Sequence, residues 1–583
     1  MGNPEPIRGS LPWKTLAWTL LAGGAIAVLS LYSETINDQT VIGPGEANLI
    51  KYLLMFITAI IWFNWLAVFS RIPGRLAISL TILALTVLFF SFFRLDMDGS
   101  LGFVRIASRF EKRELKQAVD TSDEKKIDLS KTSDSDFNQF LGNGRDSVIR
   151  NCRLDTDWKN NPPVLKWKQP IGEGWSGFVA VNGYAITQEQ RGNDECVSCY
   201  EIETGELLWI HKRETRHEDM MSMGKVGPRA TPAIDDGKIY AQGATGFLTC
   251  LDSNGTELWS IDLTERLQIE LQKKKTSADY TYYFEKSPLA WGRSGSPLIY
   301  KNMCIVTGGG PTSGPFTTLL ALDKVTGEEI WTGGKNMISY GSPSIAKLLG
   351  RDQVTLVAES SAMGFDPYSG KVLWETEREG SSSANANCSQ VTPISDNRIL
   401  LSKAYQLGGE IVELNETGES ISPSTVWQNS RVLKTKMMSP VIKDGYAYSL
   451  SDGFFECSNI EDDELEGRRT FRKRDRFGNG QLLLVGDHLL IHTEYGKLKL
   501  VKATPDKYVE LGEIPTITGI CWNTICLCDK YLLVRSELEA ACFELSLTYD
   551  DAEVEQASSE STSSATGVAN AKPVAQPKVT DAR

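Results

Sequence analysis

The chain has 583 residues, with 61 Lys and Arg against 74 Asp and Glu, a net charge of −13. That acidic balance, without any basic groove interleaved by aromatics, argues against nucleic acid as a partner. The length allows several domains, but one internal repeat accounts for most of the chain.

Three apolar, charge-free stretches come first, at residues 15–33, 52–70 and 76–93. Each is long enough to cross the hydrocarbon core as a helix. No clear small-residue cleavage site follows the first, and two more spans come after it, so it reads as an uncleaved anchor rather than a signal peptide. Lys and Arg set the orientation. Arg8 and Lys14 precede the first span, and Arg71 and Arg75 separate the second from the third. The loop 34–50 has neither residue type and carries Glu34, Asp38 and Glu46. Residues 1–14 are therefore expected in the cytoplasm and residues 15–94 in the inner (cytoplasmic) membrane as a three-helix region. The chain beyond lies outside, in the periplasm of a Gram-negative cell. Trp13, Trp62 and Trp65 are candidate interfacial anchors, although Trp62 and Trp65 fall mid-span and equally suit helix packing.

Residues 95–139 read as a charged linker. The run from Phe103 to Asn138, containing EKRELKQAVDTSDEKK, predicts a short amphipathic helix and then polar chain.

From there the pattern Ser/Thr-Gly-x-x-x-Trp recurs. Thr204-Gly205 leads to Trp209, Thr326-Gly327 to Trp331 and Ser369-Gly370 to Trp374. Asn254-Gly255 leads to Trp259 in the same frame, and Thr417-Gly418 reaches Trp427 after a longer turn. Self-similarity at a period of about 40–50 residues means a solenoid or a propeller. The second repeat is the clearest: RATPAID, KIYAQGA, GFLTCLD and TELWSID are short strands separated by DDG- and SNG-type turns. Four antiparallel strands in so short a stretch make one propeller blade. In the turn, Asp or Asn caps the amides and Gly takes the positive φ. The tryptophans suit packing against the neighbouring blade.

Inner-strand openings, often Thr/Ser-Pro, count eight repeats, beginning near Trp175, Arg229, Arg293, Tyr340, Ser389, Met437, Gly478 and Cys521. The last repeat ends without an outer strand. Upstream of the first, residues 164–171 with Trp167 form an outer strand without a blade. The two halves are expected to pair antiparallel near residues 540–547 and close the ring. Residues 140–549 thus form an all-β eight-bladed propeller, preceded by three transmembrane helices. Residues 264–292, with KKK and YTYYF, are an insertion between blades two and three, a place where loops add specificity. The Ser/Thr/Ala/Pro-rich tail, residues 550–583, is expected to be disordered.

These repeats resemble those of the PQQ-type (pyrrolo-quinoline quinone repeat) eight-bladed β-propeller family, over about residues 140–547. The resemblance rests on the Asp-x-x-Ser/Thr-Gly-x-x-x-Trp signature, as at Asp323–Gly327 and Asp366–Gly370, on the inner-strand openings and on the repeat number. It implies one of two groups. Quinoprotein dehydrogenases carry a vicinal Cys-Cys disulfide over the quinone, Glu and Asn ligands for Ca²⁺ and an Asp base. Cofactor-free propellers include the lipoprotein subunit of the outer-membrane β-barrel assembly machinery. No two of the eleven cysteines here are adjacent.

The reading is therefore a membrane-anchored, outward-facing binding or scaffolding propeller with no cofactor and no metal. The alternative is a membrane-bound quinoprotein dehydrogenase with PQQ and Ca²⁺. A protein partner or a small anionic ligand is expected at the central funnel or at the 264–292 insertion. The funnel-mouth candidates are Trp175, Arg229, Arg293, Tyr340, Gln390, Asn479 and Trp522, since aromatic and guanidinium groups grip planar or anionic ligands. Their alternative role is to satisfy buried backbone groups. Trp167, Trp209, Trp259, Trp331, Trp374 and Trp427 are assigned to blade packing. Cys196-x-x-Cys199 has metal-pair spacing, but i and i+3 on a strand point to opposite faces. His217 with Met220, Met221 and Met223 is a soft-ligand cluster whose plain reading is an inter-blade loop.

Overall fold

The computed structural model describes residues 12–549 apart from 34, 37–41, 71, 112–113, 119–126, 151, 219–224, 277–278, 285–289, 379–385 and 419. The tail 550–583 lies outside the described residues.

Three helices open it: α1 (Trp13–Leu31), α2 (Pro44–Asn64, continued by a π-turn Trp65–Phe69) and α3 (Arg75–Phe92). All three are long and apolar enough to cross a membrane. Helices α1 and α2 pack together, and Trp18 Nε1 donates to Thr58 Oγ1 while Trp62 Nε1 donates to Thr19 Oγ1. Trp62 and Trp65 meet edge to face, their ring centroids 5.6 Å apart. Trp62 thus packs helices.

Eight four-stranded antiparallel units follow, each paired in simple meander order. Their inner strands are Val179–Val181, Ala233–Asp235, Leu298–Tyr300, Ser344–Leu348, Thr392–Pro393, Val441–Lys443, Gln481–Val485 and Cys526–Cys528. The eighth unit takes its outer strand from Val164–Pro170. That strand pairs antiparallel with Glu539–Glu544, from Glu539 opposite Pro170 to Glu544 opposite Val164. The sequence reading of an eight-bladed ring closed by residues upstream of the first blade therefore holds.

One interaction explains both halves of the repeat signature. Five of the six outer-strand tryptophans lie on the turn glycine of the next blade. Trp167 covers Gly205, Trp209 covers Gly255, Trp259 covers Gly327 and Trp331 covers Gly370; a Cβ at any of these glycines would sit within 3.0 Å of the ring. The indole N–H of Trp167 donates to Ile202 O at 2.6 Å, and those of Trp209 and Trp331 donate to Ser253 O and Pro367 O at 3.0 Å. Trp427 lies on Gly467, while Trp374 turns back to Gln353 Oε1 of its own blade at 2.8 Å.

The segment between membrane and ring departs from the sequence reading. The described residues of 103–138 contain no helix, and most of the charged run expected to form one, residues 112–113 and 119–126, lies outside the described residues. Instead β1 (Phe93–Met97) continues directly from α3 and pairs with β2 (Phe103–Ser108). Asp98-Gly99-Ser100 makes a turn there, and the β-branched and aromatic residues that flank it favour a hairpin over residues 93–108. Residues 127–149 then pack onto the inner strands. Phe137 bridges Ala180 of blade one, Asn138 O accepts from Ile234 N of blade two, and Val148–Ile149 pair parallel with Leu484–Val485 of blade seven. Arg145, 4 % exposed, donates to Ser296 O, Pro297 O and Pro343 O of blades three and four. Contacts to the inner edges of five blades from one short segment put it across the axis. The central channel is filled by the chain itself.

Candidate functional site

Connections from each outer strand to the next inner strand all emerge on one face of the ring, together with the turns between second and third strands. The funnel-mouth candidates lie on this face. Trp175, Arg229, Tyr340 and Trp522 stand four residues before an inner strand, Arg293 five, and Gln390 and Asn479 two.

The structure brings three of the seven together. Trp175 and Trp522 stack with ring centroids 4.4 Å apart and 32° between planes. Trp522 Nε1 donates to Glu494 Oε1 at 2.6 Å, and Asn479 N donates to Glu494 Oε2 at 2.7 Å. Glu494 is fully buried in the second-to-third-strand turn of blade seven. Burial raises its carboxyl pKa first, and the nearby Asp98 raises it further.

The third donor to Glu494 comes from the membrane-proximal hairpin: Gly99 N donates to Oε1 at 2.6 Å. The hairpin tip sits in the mouth. Lys436 Nζ donates to Gly99 O at 2.8 Å, and Tyr495 Oη donates to Asp98 Oδ2 at 2.9 Å. Asp98 Oδ1 caps the turn by accepting from Ser100 N and Gly102 N. A Cβ at Gly99 would lie 2.8 Å from Asn479 Nδ2 and 3.2 Å from Trp522 Cζ2, so only glycine fits this approach. The same tip is held from the other side by α2. Asn48 Nδ2 donates to Ser100 O at 2.8 Å and Tyr52 Oη to Leu101 O at 2.7 Å.

The other four candidates are engaged elsewhere. Arg293 is fully buried, and its Nη2 donates to Thr307 O at 2.5 Å and Gly308 O at 2.7 Å. Arg229 donates to Gly227 O and Lys225 O within its own loop. Tyr340 packs on Trp291, centroids 5.4 Å apart, and its hydroxyl accepts from Trp291 N. Gln390 Nε2 donates to Cys388 O at 3.3 Å.

Glu494, Tyr495, Lys436 and the 98–100 tip escaped the sequence reading. For the tip, Asp-Gly between two strand-like runs was the available signal. For Glu494 there was none, because its three donors come from segments far apart in the chain.

A planar quinone does not fit between Trp175 and Trp522 as they stack. A planar ring system between two indoles needs roughly 7 Å, twice the van der Waals separation, whereas the Trp175 and Trp522 centroids are 4.4 Å apart. The remaining space is occupied by the hairpin tip. Among the described residues, no group of three or more His, Cys, Asp and Glu is placed to hold a metal ion. Cys196 and Cys199 are buried, facing Glu189 and Ile186 across the strand pair, and burial pushes the Cys196 thiol up to about 12. His217 is fully buried; Met220, Met221 and Met223 lie outside the described residues.

The fold and its closure define an eight-bladed β-propeller. The PQQ-repeat family model described as Outer membrane protein assembly factor BamB matches residues 193–470. The Outer membrane protein assembly factor BamB of Kangiella koreensis is 25% identical over 162 residues. That match covers 27% of this chain and 32% of the relative, so the chain spans about a third of its length. Among solved structures, BamB from Moraxella catarrhalis aligns at 12% identity and a TM-score of 0.42, over 66% of this chain and 99% of that one. The quinohemoprotein alcohol dehydrogenase of Comamonas testosteroni aligns at 13% and 0.46, over 70% and 80%. The quinohemoprotein alcohol dehydrogenase ADHIIG of Pseudomonas putida HK5 aligns at 12% and 0.49, over 78% and 85%.

Proposed function

We propose that this chain is a binding or scaffolding propeller held in the inner membrane, with its N-terminus cytoplasmic and its ring in the periplasm, and that a protein partner docks on the outside of the ring. One observation carries the reading. The chain itself takes the inside of the ring, the mouth with the 98–100 tip and the axis with residues 127–149. Binding then falls to the outer surface. Leu258, Val325, Ile330 and Tyr368, all 41–58 % exposed, stand on the neighbouring blades two, three and four. Exposed apolar side chains on adjacent blades suit a protein contact. The name of the Kangiella relative, an assembly factor, points the same way.

Two measurements test this. Reporters active only outside the cytoplasm should work when fused after Tyr549 and fail when fused between Arg71 and Arg75. A photo-cross-linking amino acid in place of Val325 or Tyr368 should give a discrete protein adduct in intact cells. Dye reduction by the purified chain with PQQ, Ca²⁺ and an alcohol or aldose would overturn the reading, as would a silent outer surface.

A further inference from the structure

Four cationic side chains lie on the mouth face around blade five, and three of them are matched. Arg378 Nη1 donates to Glu410 Oε2 at 2.8 Å, and its Nη2 donates to Gly408 O at 2.8 Å. Lys434 pairs with Asp452 at 3.0 Å. Lys436 donates to Gly99 O, with its Nζ 5.1 Å from the centre of the Tyr405 ring. Lys403 is the exception. It ends the second strand of blade five, Arg398–Lys403, and is 2 % exposed. Its Nζ has no hydrogen-bond partner among the described residues.

The neighbours settle which way this side chain turns. Alternate residues of a strand face opposite ways. Ser402 turns to Thr435 of the connection into blade six, their hydroxyls 2.7 Å apart, so Lys403 turns toward blade four. There it lies within electrostatic reach of Cys388, Arg378 and Glu359. The chain around Cys388 is held on both sides. Asn387 Nδ2 donates to Ala358 O of blade four at 2.8 Å, and Ser389 Oγ donates to Met438 O of the connection into blade six at 2.7 Å. Cys388 is half-buried, whereas the other ten cysteines are buried. Solvent therefore reaches the neighbour of a lysine that it barely touches.

A buried ammonium without a counter-charge is among the costliest groups a fold can hold. None of these neighbours supplies the charge. Glu410 is taken by Arg378 and by Thr425 Oγ1. Glu359 makes no hydrogen bond to Lys403. Burial pushes the Cys388 thiol up to about 11, against the pull of Lys403 and Lys436, so it stays neutral. Nor does the amine escape by losing its proton. Burial lowers it to about 8, with Cys388 raising it, Arg378 lowering it and Glu359 raising it. At pH 7 that leaves roughly ten ammonium groups to one amine. We propose that Lys403 is the floor of a small-oxyanion site, entered beside Cys388, in which one phosphate or carboxylate group supplies the missing counter-charge. The site is separate from the outer surface proposed for a partner, and the test of either leaves the other standing.

Cys388 gives a local readout. The full chain in detergent is alkylated with a maleimide at pH 7, and peptide mass spectrometry follows Cys388 in inorganic phosphate, in acetate and in chloride at equal ionic strength. Phosphate or acetate should slow the alkylation of Cys388 at least several-fold relative to chloride and raise the midpoint of thermal unfolding. In Lys403→Met, which keeps the length and removes the charge, both effects should vanish. The same comparison in phosphatidylcholine vesicles with and without phosphatidylglycerol tells a free anion from a lipid headgroup. Lys403-dependent protection by phosphatidylglycerol alone would keep the site and make a headgroup its ligand. Equal rates in all three salts and in both kinds of vesicle would overturn the site from the unsubstituted chain alone, even if Lys403→Met failed to fold. Protection that persists in Lys403→Met would also overturn it, by placing the anion on another group.

Discussion

The seam that closes the ring can be isolated with two glycines of blade one. Gly205 has φ +68° and lies under the Trp167 ring, where a Cβ would come 2.6 Å from the indole. Gly183 has φ +83°, and nothing lies within 4 Å of its Cβ position. Alanine at either site pays for the left-handed backbone, roughly 1–2 kcal/mol. Only Gly205→Ala also pushes against the closing strand, and forced overpacking costs roughly 1–3 kcal/mol more. Gly183→Ala is therefore expected to lose about 1–2 kcal/mol and Gly205→Ala about 2–5 kcal/mol. Removing the ring should cancel the difference. Trp167→Ala alone should lose about 3–5 kcal/mol as a buried indole, but in that background Gly205→Ala should cost no more than Gly183→Ala. Urea unfolding of the detergent-solubilised chain, followed by far-ultraviolet circular dichroism, reads these as shifts in midpoint at constant slope. If Gly205→Ala and Trp167→Ala add without coupling, the tryptophan does not close the ring on that turn.

Burial raises the Glu195 carboxyl to about 7, ahead of the lowering by its bond from Ala244 N and by Arg229 and Arg213. The folded state thus holds this proton more tightly than the unfolded chain does. Its contribution is complete below about pH 4.3 and is lost as pH rises toward 7, up to about 3 kcal/mol. Glu195→Gln keeps an acceptor for Ala244 and should flatten that slope; an unchanged pH profile of unfolding would refute the assignment. Arg293→Ala should lower stability by at least about 2 kcal/mol by stranding the Thr307 and Gly308 carbonyls, while partner adducts from Val325 or Tyr368 persist. Loss of those adducts with unchanged melting would instead return Arg293 to a binding role.

What could be read from the sequence was local. The turn glycine and the tryptophan that covers it belong to different blades, yet each lies at a fixed offset within its own repeat. Their recurrence exposed the fold without any tertiary information. Residues 164–170 were legible by subtraction, as a strand without a blade beside a blade without a strand. The mouth was legible only in part. Trp175 and Trp522 were found because they open inner strands, but the same positional rule also selected Arg293, whose side chain turns back to carbonyls at the end of its own blade's second strand. Position along an inner connection does not encode which way a long side chain turns. Residues 127–149 were hidden for a different reason. They hold the axis mainly through backbone pairing, to Ala180, Ile234 and Leu484–Val485, and backbone pairing leaves little trace in side-chain pattern.

The tip that occupies the mouth also ties the ring to the N-terminal helices. A propeller tethered by a loose linker would tumble above the bilayer, and either face could meet a partner. Here β1 leaves α3 without an intervening loop, and its turn is held at once by α2 and by Glu494, Lys436 and Tyr495 of blades six and seven. The mouth face is thereby tied to the side of the ring on which the three apolar helices lie. What remains for a partner is the opposite face and the rim, where Leu258, Val325, Ile330 and Tyr368 stand exposed. Under the proposed anchoring, the helices would select which surface is open to a partner as well as hold the protein in place. A ring released from its hairpin would gain a free mouth and lose the constraint that keeps blades two to four turned outward.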